Sequence, residues 1–225
     1  MNRFLVVFAV TVLLFVACNN PANNKTVNNT SFTDSRDDQV YRTVVIGGQK
    51  WMVENLNYIA DSSWCYDDEI SNCAIYGRLY TWGAAMKACP VGWRLPANTD
   101  WDDLVAAVGD SSVAGGKLKS KTGWSDKLDG SSSNGSDDYG FSALPGGNKM
   151  EDSSFGGIGE QGSWWSAKEN GNDFAWAFGM NDDNAIAWYK HAEYVVIDDS
   201  FLLVYDYGIN KDNGLSVRCI MDMRP

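Results

Sequence analysis

The sequence contains a single histidine, His191, and no two cysteines separated by two residues. Structural zinc sites use histidine clusters or Cys-x-x-Cys pairs, and thioredoxin-like redox sites use a Cys-x-x-Cys pair. Neither kind of site is therefore expected. Basic residues are also few, because 18 lysines and arginines stand against 29 aspartates and glutamates, for a net charge of −11. This balance argues against nucleic acid and anionic lipid headgroups as partners. It is compatible with neutral polysaccharide, cations or basic proteins.

The uncharged N-terminal run from Phe4 to Ala17 is too short to cross a bilayer, which needs about 20 residues. Its length suits the core of a signal peptide. The run ends Phe15-Val16-Ala17-Cys18, which is similar to a bacterial lipobox. Residues 1–17 are therefore predicted to be a lipoprotein signal peptide, with lipid attached to Cys18. The alternative is an ordinary signal peptide followed by an incidental cysteine.

Residues 18–39 are rich in Asn, Ser and Thr and contain one aromatic residue, Phe32. So little apolar surface does not offset the entropy of ordering, and a flexible tether is predicted. Residues 40–225 have the length of one domain with a sizeable core. An extracytoplasmic protein follows, anchored to a bacterial membrane, with the outer membrane or the cell surface as its expected location.

The four later cysteines, Cys65, Cys73, Cys89 and Cys219, allow three pairings. Cys65 and Cys73 flank a short acidic turn and could close it as a local loop. Cys89 and Cys219 would then join the middle of the domain to its last strand. Two structural disulfides are expected, as is usual outside the cytoplasm.

Two helices and one hairpin have clear local signals. Gly47 and Gly48 separate two apolar runs, which predicts a hairpin with a tight turn. A short helix is predicted over 80–88, ending before Pro90. A second helix is predicted with Thr99 as its N-cap, a capping box with Asp102 and an end at Gly109. Its buried face is predicted to consist of Trp101, Leu104, Val105 and Val108.

After Ala114 the sequence is rich in Gly, Ser, Asn and Asp, interrupted by short apolar runs. Several of the runs alternate with a period of two, which is typical of strands. The prediction is an α+β domain with two short helices, small antiparallel strands and long loops. The predicted strand segments are 141–144, 163–167, 174–180, 185–189, 194–197, 201–205 and 215–220.

Six strings together resemble the Fibrobacter succinogenes major paralogous domain. They are GGQKWMVENLN (47–57), YGRLYTW (76–82), CPVGWRLP (89–96), GFSALPGG (140–147), WWSA (164–167) and SVRC (216–219). The resemblance covers about residues 40 to 222. It implies a secreted or lipid-anchored bacterial protein, and it implies no particular activity.

A more distant resemblance is to C-type lectin-like domains, in the order of helices, Trp-rich strand and cysteines. It implies that Cys89 pairs with Cys219, as the outer cysteines of those domains do. The string GWRLP (92–96) followed by Trp101 also resembles formylglycine-generating enzymes, which share that general fold. Fold similarity of this kind does not carry function with it.

Ten Trp, ten Tyr and nine Phe exceed what a core of this size requires. Flat aromatic faces next to Asp and Asn are typical of sugar-binding sites, so a non-catalytic binding or adhesion module for glycan or envelope ligands is the leading hypothesis. The alternative is that most of these rings fill the core. The candidate ligand-binding residues are Trp176, Asn181, Asp182, Asp183, Asn184, Trp188 and Tyr189.

The other hypotheses have less support in the sequence. A calcium site could use paired acids such as Asp137-Asp138, Asp182-Asp183 or Asp198-Asp199, but no EF-hand pattern is present, so no cofactor is expected. A formylglycine-generating enzyme would require a reactive thiol pair. A hydrolase would require a nucleophile near His191, and none is identifiable. A purely structural envelope protein also stays open.

Overall fold

The computed structural model describes residues 30–127, 129–181 and 208–223. No helix in these ranges is long and apolar enough to span a membrane. The helices within them are α1 (Ile70–Tyr76), α2 (Trp82–Ala88), α3 (Asn98–Val108) and α4 (Ser111–Leu118). The strands are β1 (Thr30–Thr33), β2 (Val40–Ile46), β3 (Gln49–Met52), β4 (Ser63–Trp64), β5 (Leu79–Tyr80), β6 (Gly146–Lys149), β7 (Phe155–Ile158), β8 (Gln161–Glu169), β9 (Phe174–Asn181), β10 (Ile209–Asn210), β11 (Leu215–Ser216) and β12 (Ile220–Asp222).

The predicted hairpin is present as β2 and β3. Ile46 pairs with Gln49, so the turn consists of Gly47 and Gly48 alone. Both glycines have positive φ, 62° and 80°, a region that side chains rarely adopt and that a two-residue turn of this hand requires. The hairpin forms the centre of a four-stranded sheet with the order β1-β2-β3-β12.

The tether prediction is wrong for residues 30–39, because strand β1 lies there and pairs antiparallel with β2. The Phe32 ring packs 5.1 Å from the ring of Trp93. The turn that follows is held by Asp34, a fully buried carboxylate that forms an ion pair with Arg36. The low average apolar content of this segment did not indicate that the Phe32 ring anchors it or that an ion pair holds its turn. Residues 18–29 lie outside the described residues.

The second sheet has the strand order β10-β9-β8-β11-β5-β4, with β6 and β7 attached to it through β8. The predicted strand over 163–167 is the central part of β8, and the predicted strand over 174–180 is β9 without its last residue. The predicted strand over 215–220 is divided between β11 and β12, which belong to different sheets. Segment 141–144 forms only a bridge between Ala143 and Lys119. The predicted strands at 185–189, 194–197 and 201–205 lie outside the described residues.

Two hydrophobic clusters lie on opposite faces of the strands. Because neighbouring strand residues point to opposite faces, Trp164 enters the first cluster and Trp165 the second. Trp51 and Met52 of β3 divide in the same way. Of the four residues predicted for the buried face of α3, Trp101, Leu104 and Val108 are buried in the first cluster, and Val105 is partly buried and packs against it.

Two of the four described helices were predicted, and their starts differ from the prediction. Helix α2 begins at Trp82, because Leu79 and Tyr80 are engaged in β5. Thr99 is not the N-cap of α3, since that helix begins at Asn98 after Ala97. The carboxylate of Asp100 accepts the Ala97 N–H at 2.7 Å, so it does the capping expected of other residues. The end at Gly109 is confirmed.

Helices α1 and α4 were missed. The first half of α1 was interpreted as part of a turn between Cys65 and Cys73, and the disulfide joins the middle of the helix to the preceding chain. The α4 segment contains Gly115 and Gly116, which are poor helix formers. Asp110 caps α4 by accepting the Ser112 N–H, and the helix packs against α3 with Ala114 and Leu118 in the first cluster.

Both predicted disulfides are confirmed, one between Cys65 and Cys73 and one between Cys89 and Cys219. The first closes a loop with a sequence separation of 8. The second joins the end of α2 to the segment before β12 across a separation of 130. The guanidinium of Arg78 lies 3.6 Å from both sulfurs of the short loop.

Candidate functional site

The structure does not bring the predicted ligand-binding residues together. Trp176 and Asn181 both lie on β9 and are half-buried. They are five residues apart, so they point to opposite faces of the strand and are separated by about 17 Å along it. The remaining candidates, Asp182, Asp183, Asn184, Trp188 and Tyr189, lie outside the described residues, as does His191.

Much of the aromatic mass that motivated this hypothesis is core. Four tryptophans, Trp51, Trp101, Trp164 and Trp165, are fully buried. The rings of Trp101 and Phe178 stack with centroids 4.4 Å apart and an interplanar angle of 5°. Trp51, Trp101, Trp164 and Phe178 belong to the first hydrophobic cluster and Trp165 to the second, so these rings have the core role that the alternative interpretation assigned to them.

A polar groove lies elsewhere, beside the β2–β3 hairpin. Its volume is about 280 Å³, and we call it the Arg42 groove. Strand β2 supplies Arg42, the end of the hairpin supplies Val53 and Glu54, and two loops after α4 supply the rest. The lining residues are Arg42, Val53, Glu54, Ser120, Lys121, Thr122, Asp137, Ser142 and Leu144.

The two carboxylates of the groove already accept hydrogen bonds from the protein. Glu54 accepts the backbone N–H of Arg42 at 2.7 Å with one oxygen and Arg42 Nε–H at 2.5 Å with the other. Asp137 accepts the Ser142 N–H at 2.8 Å and the Ser142 hydroxyl at 2.5 Å. Asp137 and Ser142 have φ values of 48° and 51°, so this wall is held in a conformation that non-glycine residues seldom adopt.

Beneath the groove lies Arg218, whose side chain is fully buried. Its guanidinium donates to the carbonyl oxygen of Phe141 at 2.6 Å. It also donates twice to Asn55 Oδ1, at 3.1 and 2.8 Å, and its carbon lies 4.5 Å from the Phe141 ring centroid. In the part of the chain that the structure describes, no carboxylate lies within ion-pair distance of Arg218.

Burial lowers the pKa of Arg218 to about 9, and the negative charges of Glu54 and Asp137 partly oppose that effect. Those two carboxylates therefore act on the buried cation through space, from the groove above it. Phe141 precedes Ser142, and Met52, whose carbonyl also faces Arg218, precedes Val53. Arg218 thus holds two of the chain segments that form the groove.

Asn55 connects this cation to the core. Its Oδ1 also accepts the indole N–H of Trp164 at 2.7 Å, and its Nδ2 donates to the carbonyl of Tyr76 at 2.8 Å. Sequence reasoning noted the strings that contain Asn55, Trp164 and Arg218 but assigned them no role. The sequence does contain one signal for Arg218. It is a charged residue in the middle of the apolar run 215–220, so its side chain is expected to be buried if the strand is not interrupted there.

A second polar cluster ties helix α3 to the hairpin. Arg94 forms ion pairs with Asp100 at 2.6 Å and with Asp222 at 2.7 Å. Hydrogen bonding to Asp100 raises the pKa of Arg94 well above its ordinary value. Gln49 Nε2 donates to the same Asp100 carboxylate at 2.6 Å. These side chains connect α3, β3 and β12 to one another, so we assign this cluster a structural role.

The calcium hypothesis gains no support from the acids whose positions are described. Within residues 30–127, 129–181 and 208–223, no group of three or more His, Cys, Asp or Glu side chains could hold a metal ion. Both oxygens of Asp137 are engaged by Ser142. Asp182-Asp183 and Asp198-Asp199 lie outside the described residues.

Comparison with known proteins gives one match. The family model described as the Fibrobacter succinogenes major domain matches residues 44–221 of this chain. That range includes the second half of β2 and all of β3, both disulfides, the residues of the groove other than Arg42, and Arg218. No curated protein and no solved structure matches the chain.

Proposed function

The chain belongs to the Fibrobacter succinogenes major domain family, and we propose that it acts as a non-catalytic binding module for glycan or other envelope ligands. The observation that carries this proposal is the Arg42 groove. It places hydroxyls, an Arg–Glu ion pair and one half-buried apolar side chain, Leu144, around one small concavity. Apolar surface for ring C–H groups beside fixed polar groups for hydroxyls is the chemistry that sugar recognition uses.

A lectin-like chain arrangement is part of the proposal. Helix α2 ends next to Cys89, helix α3 follows, and a Trp-rich strand, β8, precedes the segment that carries Cys219. The disulfide between Cys89 and Cys219 corresponds to the outer bridge of C-type lectin-like domains. This similarity concerns the order of elements and the pairing of cysteines.

A binding role is favoured over the formylglycine-generating alternative by the state of the sulfurs. That chemistry requires a reactive thiol pair, whereas Cys89 and Cys219 are bonded to each other and Cys219 is fully buried. Cys65 and Cys73 are bonded as well. A disulfide has no thiolate to act as a nucleophile.

The proposed location is outside the cytoplasm, on a bacterial membrane through lipid on Cys18. Two disulfides favour an oxidising compartment. Cys18→Ser is expected to move the protein from the membrane fraction to the soluble fraction, because serine has no sulfur for the lipid thioether. Asn20→Ser is the matched control and is expected to stay with the membrane. A Cys18→Ser protein that still sediments with membranes after a high-salt wash would contradict the anchor.

The binding role is tested by retention of the detergent-solubilised full chain on insoluble glycan and cell-envelope fractions. We expect retention on at least one fraction, and Arg42→Ala is expected to reduce it at least about fivefold, since a lost charge-assisted hydrogen bond weakens binding by at least about 1 kcal/mol. Lys87→Ala, an exposed lysine on α2, is the control and should bind normally. Trp176→Ala separates this site from the one predicted on β9. The proposal fails if no fraction retains the protein, or if Trp176→Ala abolishes retention and Arg42→Ala leaves it unchanged.

A further inference from the structure

We propose that the ligand of the Arg42 groove is a sugar bearing a carboxylate, such as a uronic acid residue in an otherwise neutral glycan. This inference rests on the proposed binding function and specifies its ligand. It follows from the balance of hydrogen-bonding groups and charges around the groove.

The groove has donor groups that no protein group uses. Arg42 spends Nε–H on Glu54, which leaves its two terminal nitrogens available in a side chain that is 61% exposed. Lys121 and Thr122 are exposed, and within the described residues neither the Lys121 ammonium nor the Thr122 hydroxyl makes a hydrogen bond to the protein. Each oxygen of Glu54 and Asp137 already accepts one hydrogen bond, from Arg42 or from Ser142. A ligand with acceptor oxygens would complete the free donors of Arg42, Lys121 and Thr122.

Charge points in the same direction. Three cations, Arg42, Lys121 and Arg218, line or underlie the groove, against two carboxylates, Glu54 and Asp137. Arg218 lies in the protein interior, where its charge is weakly screened and its field reaches the groove above it. A single carboxylate on the ligand would balance the local excess of positive charge. A guanidinium with two free nitrogens is also the group best shaped to bind a carboxylate through two parallel hydrogen bonds.

The size of the groove and the overall charge of the chain further restrict the ligands that fit. At about 280 Å³ the groove lies below the usual range of about 300–1,000 Å³ for drug-sized ligands, so it suits a sugar unit better than a folded partner. The half-buried Leu144 provides apolar contact for ring C–H groups. The chain as a whole carries a charge of −11, which repels densely charged polyanions. An isolated carboxylate on a neutral sugar framework satisfies both conditions.

The test compares two probes that differ only at one carbon, methyl glucuronide and methyl glucoside. Binding to the full chain in detergent is measured by calorimetric titration at low ionic strength. Methyl glucuronide is expected to bind about tenfold more tightly, because one charge-assisted hydrogen-bonded pair contributes about that factor. Arg42→Gln and Lys121→Gln are each expected to remove most of the difference, and Lys87→Gln should leave it unchanged. Raising the salt concentration should weaken glucuronide binding and leave glucoside binding nearly constant.

The outcomes separate this inference from the function on which it rests. Equal binding of both sugars, with both weakened by Arg42→Gln, would overturn the carboxylate specificity and leave the glycan-binding role standing. Competition by acetate or inorganic phosphate as effective as that by glucuronide would indicate a bare anion site and would also overturn it. Absence of binding by either probe, together with no retention on any glycan or envelope fraction, would remove both proposals.

Discussion

Loss of the disulfide between Cys89 and Cys219 is expected to lower the free energy of unfolding by roughly 5 kcal/mol. The bond closes a loop with a sequence separation of 130, so its removal restores a large conformational entropy to the unfolded chain. The change to make is Cys89→Ala with Cys219→Ala, which leaves no unpaired thiol. Urea denaturation followed by tryptophan fluorescence measures the effect, because several fully buried indoles report on the core.

The second disulfide provides the matched comparison. Cys65→Ala with Cys73→Ala is expected to cost roughly 2.5 kcal/mol, since the loop it opens has a separation of only 8. The ratio of the two losses is therefore the informative quantity. Equal losses from the two double variants would show that loop length does not determine the stabilisation, and local packing of the sulfurs would have to explain it.

Arg218→Ala is expected to lower the free energy of unfolding by about 4 kcal/mol or more. The substitution leaves the carbonyl of Phe141 without its donor, removes two of the three donors to Asn55 Oδ1 and creates a cavity under the groove. Hydrogen bonds from a charged donor contribute about 1.5–3 kcal/mol each, so three such bonds account for this size of effect. Thermal or urea unfolding of the purified variant measures it.

Two further variants show whether geometry or charge is responsible. Arg218→Lys keeps the charge, but one ammonium cannot reach Asn55 and Phe141 in the same arrangement, so we expect it to lose about half as much stability as alanine. Arg42→Ala removes an exposed arginine of the same region and is expected to cost at most about 1 kcal/mol. Full stability in Arg218→Lys would mean that the planar guanidinium is not required.

The sequence predicted features whose causes lie within a few neighbouring residues. The β2–β3 hairpin depends on Gly47 and Gly48 and on the alternation around them, and its register is as expected. The buried face of α3 follows from helical spacing alone. The predicted start of α3 was wrong, because the capping side chain is Asp100. The same carboxylate also binds Arg94 and Gln49, which holds it in the capping position. Helix α4 depends on contacts with α3 that no local pattern records.

The candidate site could not be predicted in the same way. The Arg42 groove combines a strand residue near the start of the domain with loop residues about 80 to 100 positions later, and its residues form no recognisable spacing. The large number of aromatic residues led to the prediction that Trp176 binds a ligand, although four other tryptophans are fully buried in the core. Arg218 lay within a string that was noted, yet only the structure shows which carbonyls and amides surround it.

The bridge from Cys89 to Cys219 has one more consequence, which concerns cleavage of the backbone. More than half of the chain, residues 90–218, lies between its two ends. A proteolytic enzyme that cuts the backbone once anywhere in that interval produces two fragments that remain covalently joined. A nicked molecule would therefore still run as one species on a non-reducing gel and would keep both of its halves in place.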